Sequence, residues 1–220
     1  MGRLSPTGVC ATALPRTSDR RFTYADYRHW SGVERWELID GEAYAIAPPP
    51  TISHQTLVLT IAKQIDDALD GSPCRALIAP VDVLLPAPDE ADDHVTTVVQ
   101  PDILVVCDPA KLTERNIRGA RDWIIEVLSP ATARHDHLTK RALYERAGVR
   151  EYWLVHPVDR VITFYVLKDG HFGGPEIADM ADERAPTIFP EIVIRWQAIL
   201  EKLPDDTAPY HTGRLTQSLP

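Results

Sequence analysis

The feature that most constrains this chain is a pair of apolar runs, PDILVV (101–106) and WIIEVLS (123–129), each carrying one acid. Both are short, rich in β-branched residues and bounded by proline or polar segments, so both read as strands. In the second run, alternation puts Trp123, Ile125 and Val127 on one face and Ile124, Glu126 and Leu128 on the other. Both faces are apolar apart from Glu126, which predicts an interior strand covered on both sides. An unpaired, ionised glutamate there is costly. Glu126 must therefore reach the sheet edge, shift its pKa or pair with a cation. Asp102 follows Pro101, and the residue before a proline, Gln100, is biased toward extended backbone. Were the two strands neighbours, about 4.8 Å apart, their carboxylates would converge on one hard cation such as Mg²⁺, which takes oxygen ligands at about 2.1 Å. The plainer readings are a salt bridge or solvation at a strand end.

The rest of the chain supplies helices around such a sheet. Residues 1–20 lack periodicity and read as a loose tail, as does the segment 204–220, leaving 21–203 as one domain. Thr23 with Asp26 is placed to cap a short helix. Asp40-Gly41 between two apolar segments signals a tight hairpin, with Pro48, Pro49 and Pro50 stopping its second arm. SHQTLVLTIAKQIDDALD (53–70) places Leu57, Ile61, Ile65 and Leu69 on one helical stripe. CRALIAPVDVLLP is strand material, DEADDH (89–94) an acidic solvated loop, and TARHDHLTKRALYERAG a helix closing at Gly148. EYWLVHP and VITFYVL form a hairpin pair, and FPEIVIRWQAIL gives a last strand and helical turn. Strands mixed with helices of this number define an α/β or mixed α+β class.

Further polar residues gather around the two acids in this reading. Asp136, Lys140 and Tyr144 recur at i, i+4 and i+8 and share one helical stripe. They are either a surface salt bridge beside a half-buried tyrosine, or a device that carries an ammonium over the acids to steady charge on a phosphoryl oxygen. Glu37, in RWELI, is a third carboxylate that would complete or support a metal site; its other reading is an exposed hairpin face. Asp82, between two valines, is a weaker candidate of the same kind. His54 stands at a helix start, where it meets an anion or stays solvated. His135 and His137 match no common metal spacing and read as helix-terminus polarity.

Composition narrows the possible functions. The formal net charge is −9, which argues against a broad basic surface for nucleic acid. A basic cleft built from Arg118, Arg121, Arg134, Lys140 and Arg141 would restore that possibility locally. Cys10, Cys74 and Cys107 are odd in number and widely spaced, which suggests free thiols in a reducing, cytoplasmic setting. There is no apolar run long enough for a membrane span, no signal-peptide core, no GxSxG elbow and no glycine-rich phosphate loop, so no membrane and no nucleotide cofactor are expected.

In order and spacing, WELIDGE, PDILVV, WIIEVLSP and HDHLTKRALYERAGVREYWLVHP closely resemble the putative restriction endonuclease family, formerly a domain of unknown function, of the PD-(D/E)XK nuclease superfamily. The similarity runs over about residues 22–202. It implies a restriction-endonuclease-like core, a central mixed β-sheet flanked by helices. It implies a Mg²⁺-dependent (or Mn²⁺-dependent) endonuclease acting on DNA, possible as a homodimer, with Asp102, Glu126 and the Val127 carbonyl holding the metal and Glu37 as the early glutamate. The superfamily's lysine two residues after the second acid is Leu128 here, and Lys140 resembles a replacement arriving from the next helix. The other readings are a nuclease fold kept as a binding or regulatory module, and hydrolysis of a small phosphoester.

Overall fold

The computed structural model describes residues 20–31, 35–46, 51–181 and 183–204. Residues 1–19 and 205–220 of the expected tails, Cys10 and the triplet Pro48–Pro50 lie outside the described residues.

The chain opens with helix α1 (Tyr24–Tyr27), whose capping box joins Thr23 and Asp26 as their spacing predicts. Strands β1 (Trp36–Ile39) and β2 (Glu42–Ala45) form the hairpin around Asp40-Gly41. Both turn residues have positive φ, 49° and 82°. A β-carbon on Gly41 would stand 2.8 Å from the Cβ of Arg21, so glycine is required there. Helix α2 (Ile52–Ala68) starts at Thr51, whose hydroxyl accepts from the His54 backbone N–H.

The strand material that follows divides at Pro80 into β3 (Arg75–Ile78) and β4 (Asp82–Leu84), which join different sheets. Next come β5 (Val98–Val99), β6 (Ile103–Val106), β7 (Asn116–Arg118) and β8 (Trp123–Val127). The helix expected after β8 has two parts. Residues His135–Lys140 form a wide π-type segment, and α3 (Arg141–Ala147) continues as an α-helix to Gly148. The Arg141 N–H reaches back five residues to the Asp136 carbonyl, which also accepts from the Tyr152 hydroxyl. That second donor from the neighbouring strand helps to satisfy the widened turn. Strands β9 (Glu151–His156), β10 (Val161–Lys168), β11 (His171–Phe172), β12 (Glu176–Asp179), β13 (Glu183–Arg184) and β14 (Ile194–Arg195) lead to α4 (Trp196–Leu200).

Among the described residues two sheets result, besides the small β13–β14 pair. The larger runs β11-β10-β9-β8-β6-β3, with β12 beside β10; β8 and β9 are parallel and its other pairs antiparallel. The smaller runs β2-β1-β5-β4-β7. On one face of the large sheet, Trp123, Ile125, Val127 and Trp153 pack against Leu57, Ile61 and Ile65 of α2 and Ile199 of α4. On the other, Ile124, Leu128, Tyr152 and Leu154 pack against Leu143 and Tyr144 of α3 and Ile39, Val83 and Val99 of the small sheet. Strand β8 is therefore buried along its whole length, as its two apolar faces require.

The expectation of free thiols is overturned for two cysteines. The pairing Arg75↔Val106 sets Cys74 and Cys107 opposite one another at the next position, and they form a disulfide. A separation of 33 residues hid the pair from any spacing rule. Cystines of this kind belong chiefly to oxidising compartments, so the cysteine argument for a cytoplasmic setting falls away. No helix among the described residues is long and apolar enough to cross a membrane.

Candidate active site

Antiparallel pairing of β6 with β8, with Ile103 opposite Ile125, brings Asp102 to the flank of Glu126. The Asp102 N–H donates to Glu126 Oε2 at 3.3 Å, and Asp102 Oδ2 accepts from the Val127 N–H at 2.9 Å. The acids of the two runs thus meet across neighbouring strands. His54, in the first turn of α2, places Nε2 3.2 Å from Asp102 Oδ2.

Three more groups converge from other elements. Lys140 Nζ lies 2.9 Å from Glu126 Oε1, 2.9 Å from Glu37 Oε1 and 3.7 Å from Asp136 Oδ1. The Tyr144 hydroxyl donates to Glu126 Oε1 at 2.9 Å. Glu37, from β1, also accepts from the Gln100 N–H at 2.9 Å and has His135 Nε2 at 3.7 Å from its second oxygen. All four charged residues around the ammonium contact are sealed from solvent: Glu37 is 4% exposed, Glu126 3%, Asp136 3% and Lys140 6%.

Burial and charge divide the carboxylates into two kinds. For Glu126, burial dominates and raises the pKa to about 8; Lys140 opposes the rise, while Asp102, Asp136 and Glu37 add to it. Burial would also raise Glu37, but Lys140, His135 and the Gln100 N–H outweigh it and bring the pKa down to about 2. A single ammonium cannot neutralise both. Glu37, which also accepts from the Gln100 N–H, is the ionised member, and burial favours a proton on Glu126. Asp136 is raised, chiefly by burial. Burial would lower Lys140, but Glu126, Glu37 and Asp136 hold it well above its ordinary value, so it stays charged. Burial first, then Glu126, pushes the Tyr144 hydroxyl well up, so it remains a donor.

A cation-binding role for this cluster can be tested against its donor chemistry. Asp102 and Glu126 offer hard carboxylate oxygens from paired positions on neighbouring strands, and Glu126 is raised chiefly by burial. Among the described residues no three His, Cys, Asp or Glu side chains form a complete ligand set. A Mg²⁺-type ion commonly takes only one or two carboxylates and completes its shell with water and phosphate. The pair fits an ion of that kind.

The other candidate residues are not all drawn in. Asp82 is excluded by strand alternation. Val83 faces the large sheet, so Asp82 faces away, where its Oδ1 accepts from the Tyr27 hydroxyl at 2.9 Å and from Gln100 Nε2 at 2.8 Å. Four of the five residues expected to form a basic cleft have other partners. Arg118 pairs with Asp92, Arg141 lies over Tyr165 near Glu145, Arg121 is buried against the Arg118 and Ala120 carbonyls, and Lys140 is enclosed by acids. Leu128 is a core residue packed in the cluster that holds Leu143 and Tyr144. Two neighbours of Glu37 were not assigned to the site from the sequence: His135, which reads there as helix-terminus polarity, and Gln100. His135 carried a signal in its place beside Asp136; Gln100 acts through its backbone N–H, which no residue pattern reveals.

A model of the Uma2 family, described as putative restriction endonuclease, matches residues 24–197. The chain belongs to this family. Among solved structures, one similar to this Uma2 chain is a putative nuclease from Anabaena variabilis ATCC 29413, with a TM-score of 0.64 and 19% identity over 82% of this chain and 98% of that one. At that identity the likeness concerns the fold, which supports the mixed-sheet, nuclease-like core expected from the sequence. No curated protein matches the Uma2 chain.

Proposed function

We propose that the chain is a nuclease that hydrolyses DNA phosphodiester bonds with the help of a divalent cation, within a single domain spanning 21–203. The observation that carries this reading is the meeting of Asp102, Glu126 and the Lys140 ammonium at one point from two strands and a helix. Membership of a family described as putative restriction endonuclease, and similarity to a putative nuclease, support it.

In this reading Asp102 and Glu126 hold Mg²⁺ or Mn²⁺, with the Val127 carbonyl as a third donor. The bound ion supplies Lewis-acid polarisation of the phosphate and a lowered pKa for the attacking water. Lys140 takes the place of the lysine missing at Leu128: it fixes the Glu126 carboxylate through Oε1 and faces charge developing beside it. Glu37 and Asp136 hold the ammonium in place. Tyr144 donates to the same Glu126 oxygen, and His54 orients Asp102. The chain's own work is to hold Asp102 and Glu126 on paired strands, joined through the Asp102 N–H, in a setting where burial raises the Glu126 pKa.

The test is nicking of supercoiled plasmid with Mg²⁺ or Mn²⁺. Asp102→Asn and Glu126→Gln should each abolish it; activity retained in both variants defeats the proposal. A second reading, a nuclease fold kept as a binding module, is favoured by Leu128 in the core and by the dispersed arginines. It predicts metal binding or DNA binding with no cleavage in the wild type. A homodimer would let two such sites reach both strands of a duplex, and sedimentation with and without DNA tests it.

A further inference from the structure

Alternation gives the five-stranded sheet two unlike faces. Ile39, Val83 and Val99 look toward the large sheet, while Leu38, Leu84 and Val98 pack with Tyr24, Phe22, Tyr27 and Trp30 on the opposite face. On that opposite face lies a cavity of about 850 Å³ whose lining includes Tyr27, Trp30, Arg35, Trp36, Gln100 and Arg115. It is large enough for a small organic group.

The lining has a definite chemistry. Trp30 is the hub of a ring cluster, with centroids 5.2 Å from Phe22, 5.4 Å from Tyr27 and 6.0 Å from Trp36. Trp30 and Trp36 are only partly buried despite their size. Arg35 is held by Gln100 Oε1 at 2.9 and 2.6 Å, and neither Arg35 nor Arg115 makes an ion pair among the described residues. A polar network of Tyr27, Asp82 and Gln100 is also in the lining. A purely apolar ligand would strip water from that network with nothing in exchange. The lining sets three acids, Asp82, Asp92 and Asp93, against three arginines, Arg28, Arg35 and Arg115, so it favours neither a free anion nor a free cation. A neutral, flat ring with donors and acceptors on its edge suits both the aromatic faces and the network. Those are the properties of a nucleobase, which proteins bind by stacking on aromatic rings and arginine planes.

The cavity's place in the fold gives it a relation to the acids. Gln100 contributes its side chain to the cavity, its N–H to Glu37, and stands two residues before Asp102. The cavity and the acid cluster therefore occupy opposite faces of one sheet rim. We propose that this cavity binds an unpaired base of single-stranded DNA. That the bound strand is then cut rests on the nuclease reading; the base site does not. A paired base cannot enter without unstacking, at a cost of a few kcal/mol, so single-stranded or locally unpaired DNA is the preferred substrate.

Binding is measured by fluorescence anisotropy of a labelled single-stranded oligonucleotide and of a blunt-ended, fully paired duplex containing the same strand, in EDTA. The single strand should bind at least about tenfold tighter. Trp30→Leu and Arg35→Gln should each weaken it on the order of 5- to 150-fold, while Trp30→Phe keeps most of the affinity. Circular dichroism establishes that each variant is folded, and Arg35→Gln, on an exposed side chain, covers the case in which Trp30→Leu is not. Equal affinity for the two DNA forms, or folded variants that bind like the wild type, overturns the base site. Tight single-strand binding without metal-dependent cleavage leaves the base site standing and defeats the nuclease reading. Cleavage that ignores strandedness and the Trp30→Leu change does the reverse.

Discussion

Replacing Lys140 by methionine keeps much of the side chain's length and removes its charge. In the wild type the ammonium touches Glu37 and Glu126 at 2.9 Å each and lies 3.7 Å from Asp136, all deeply buried. Removing one partner from a buried ion pair costs about 3–5 kcal/mol. An independent route gives a similar figure. Without Lys140, Glu37 can avoid a buried charge by taking up a proton. At pH 7 that costs about 3.4 kcal/mol relative to the ordinary value of 4.5. The two routes together predict a midpoint lowered by about 6–20 °C for a chain of this size. The sign of the pH effect follows. With its pKa at about 2, Glu37 contributes stability that is complete above 4.5 and flat from pH 5 to 8. In the variant its folded pKa lies above the unfolded one, so the folded state binds the extra proton and stability falls as pH rises. The protonation cost shrinks by about 1.4 kcal/mol per pH unit on acidification, so the deficit should be much smaller at pH 5.5 than at pH 7. Thermal melts followed by circular dichroism at pH 5.5, 7 and 8 read this directly. A variant within about 2 °C of the wild type at pH 7, or a deficit indifferent to pH, would refute the picture of one buried ammonium shared among acids.

Other outcomes follow from the same geometry. With its folded pKa near 8 against an ordinary 4.5, Glu126 withdraws stability as pH rises through that window, and Glu126→Gln should flatten the corresponding slope in urea titrations. Mn²⁺ binding to the Asp102–Glu126 pair must displace that proton, so calorimetry should find affinity rising by up to about tenfold per pH unit below pH 8; a flat profile speaks against Glu126 as a ligand. The double change Lys140→Leu with Leu128→Lys should recover roughly half or more of the stability lost in Lys140→Leu alone, since position 128 lies on the same strand face as Glu126; no recovery in melts means that a lysine at 128 does not replace the lost ammonium. Closing a loop between Cys74 and Cys107 stabilises by about 3–4 kcal/mol. Dithiothreitol should therefore lower the midpoint, and thiol titration of unreduced, denatured protein should find one free cysteine rather than three.

Much of the scaffold is legible in the sequence because its signals are local. Both faces of WIIEVLS are apolar, and the strand is buried on both. The Asp40-Gly41 turn, the Thr51 cap and the α2 stripe follow from residues within a few positions of one another. Where a local rule met a competing contact, it gave way. The helix containing Lys140 is wide rather than α-helical through His135–Lys140, and the strand material around Pro80, whose sheet the sequence left open, is divided between two sheets.

By itself, the sequence determined that Glu126 lies in a water-poor strand, that Asp102 heads another, and that no lysine follows Glu126 at the second position. Alternation and hydrophobicity operate along the chain, and these statements need nothing else. Tertiary structure decided which groups meet. The β6–β8 register joins Asp102 to Glu126; the packing of the Lys140 helix brings the ammonium to Glu126 and Glu37; and pleating turns Asp82 to the opposite face. It also paired Cys74 with Cys107 through a strand register that no spacing reveals. Which carboxylate keeps a proton is decided there too, because a pKa depends on distances between groups far apart in the chain and close in space.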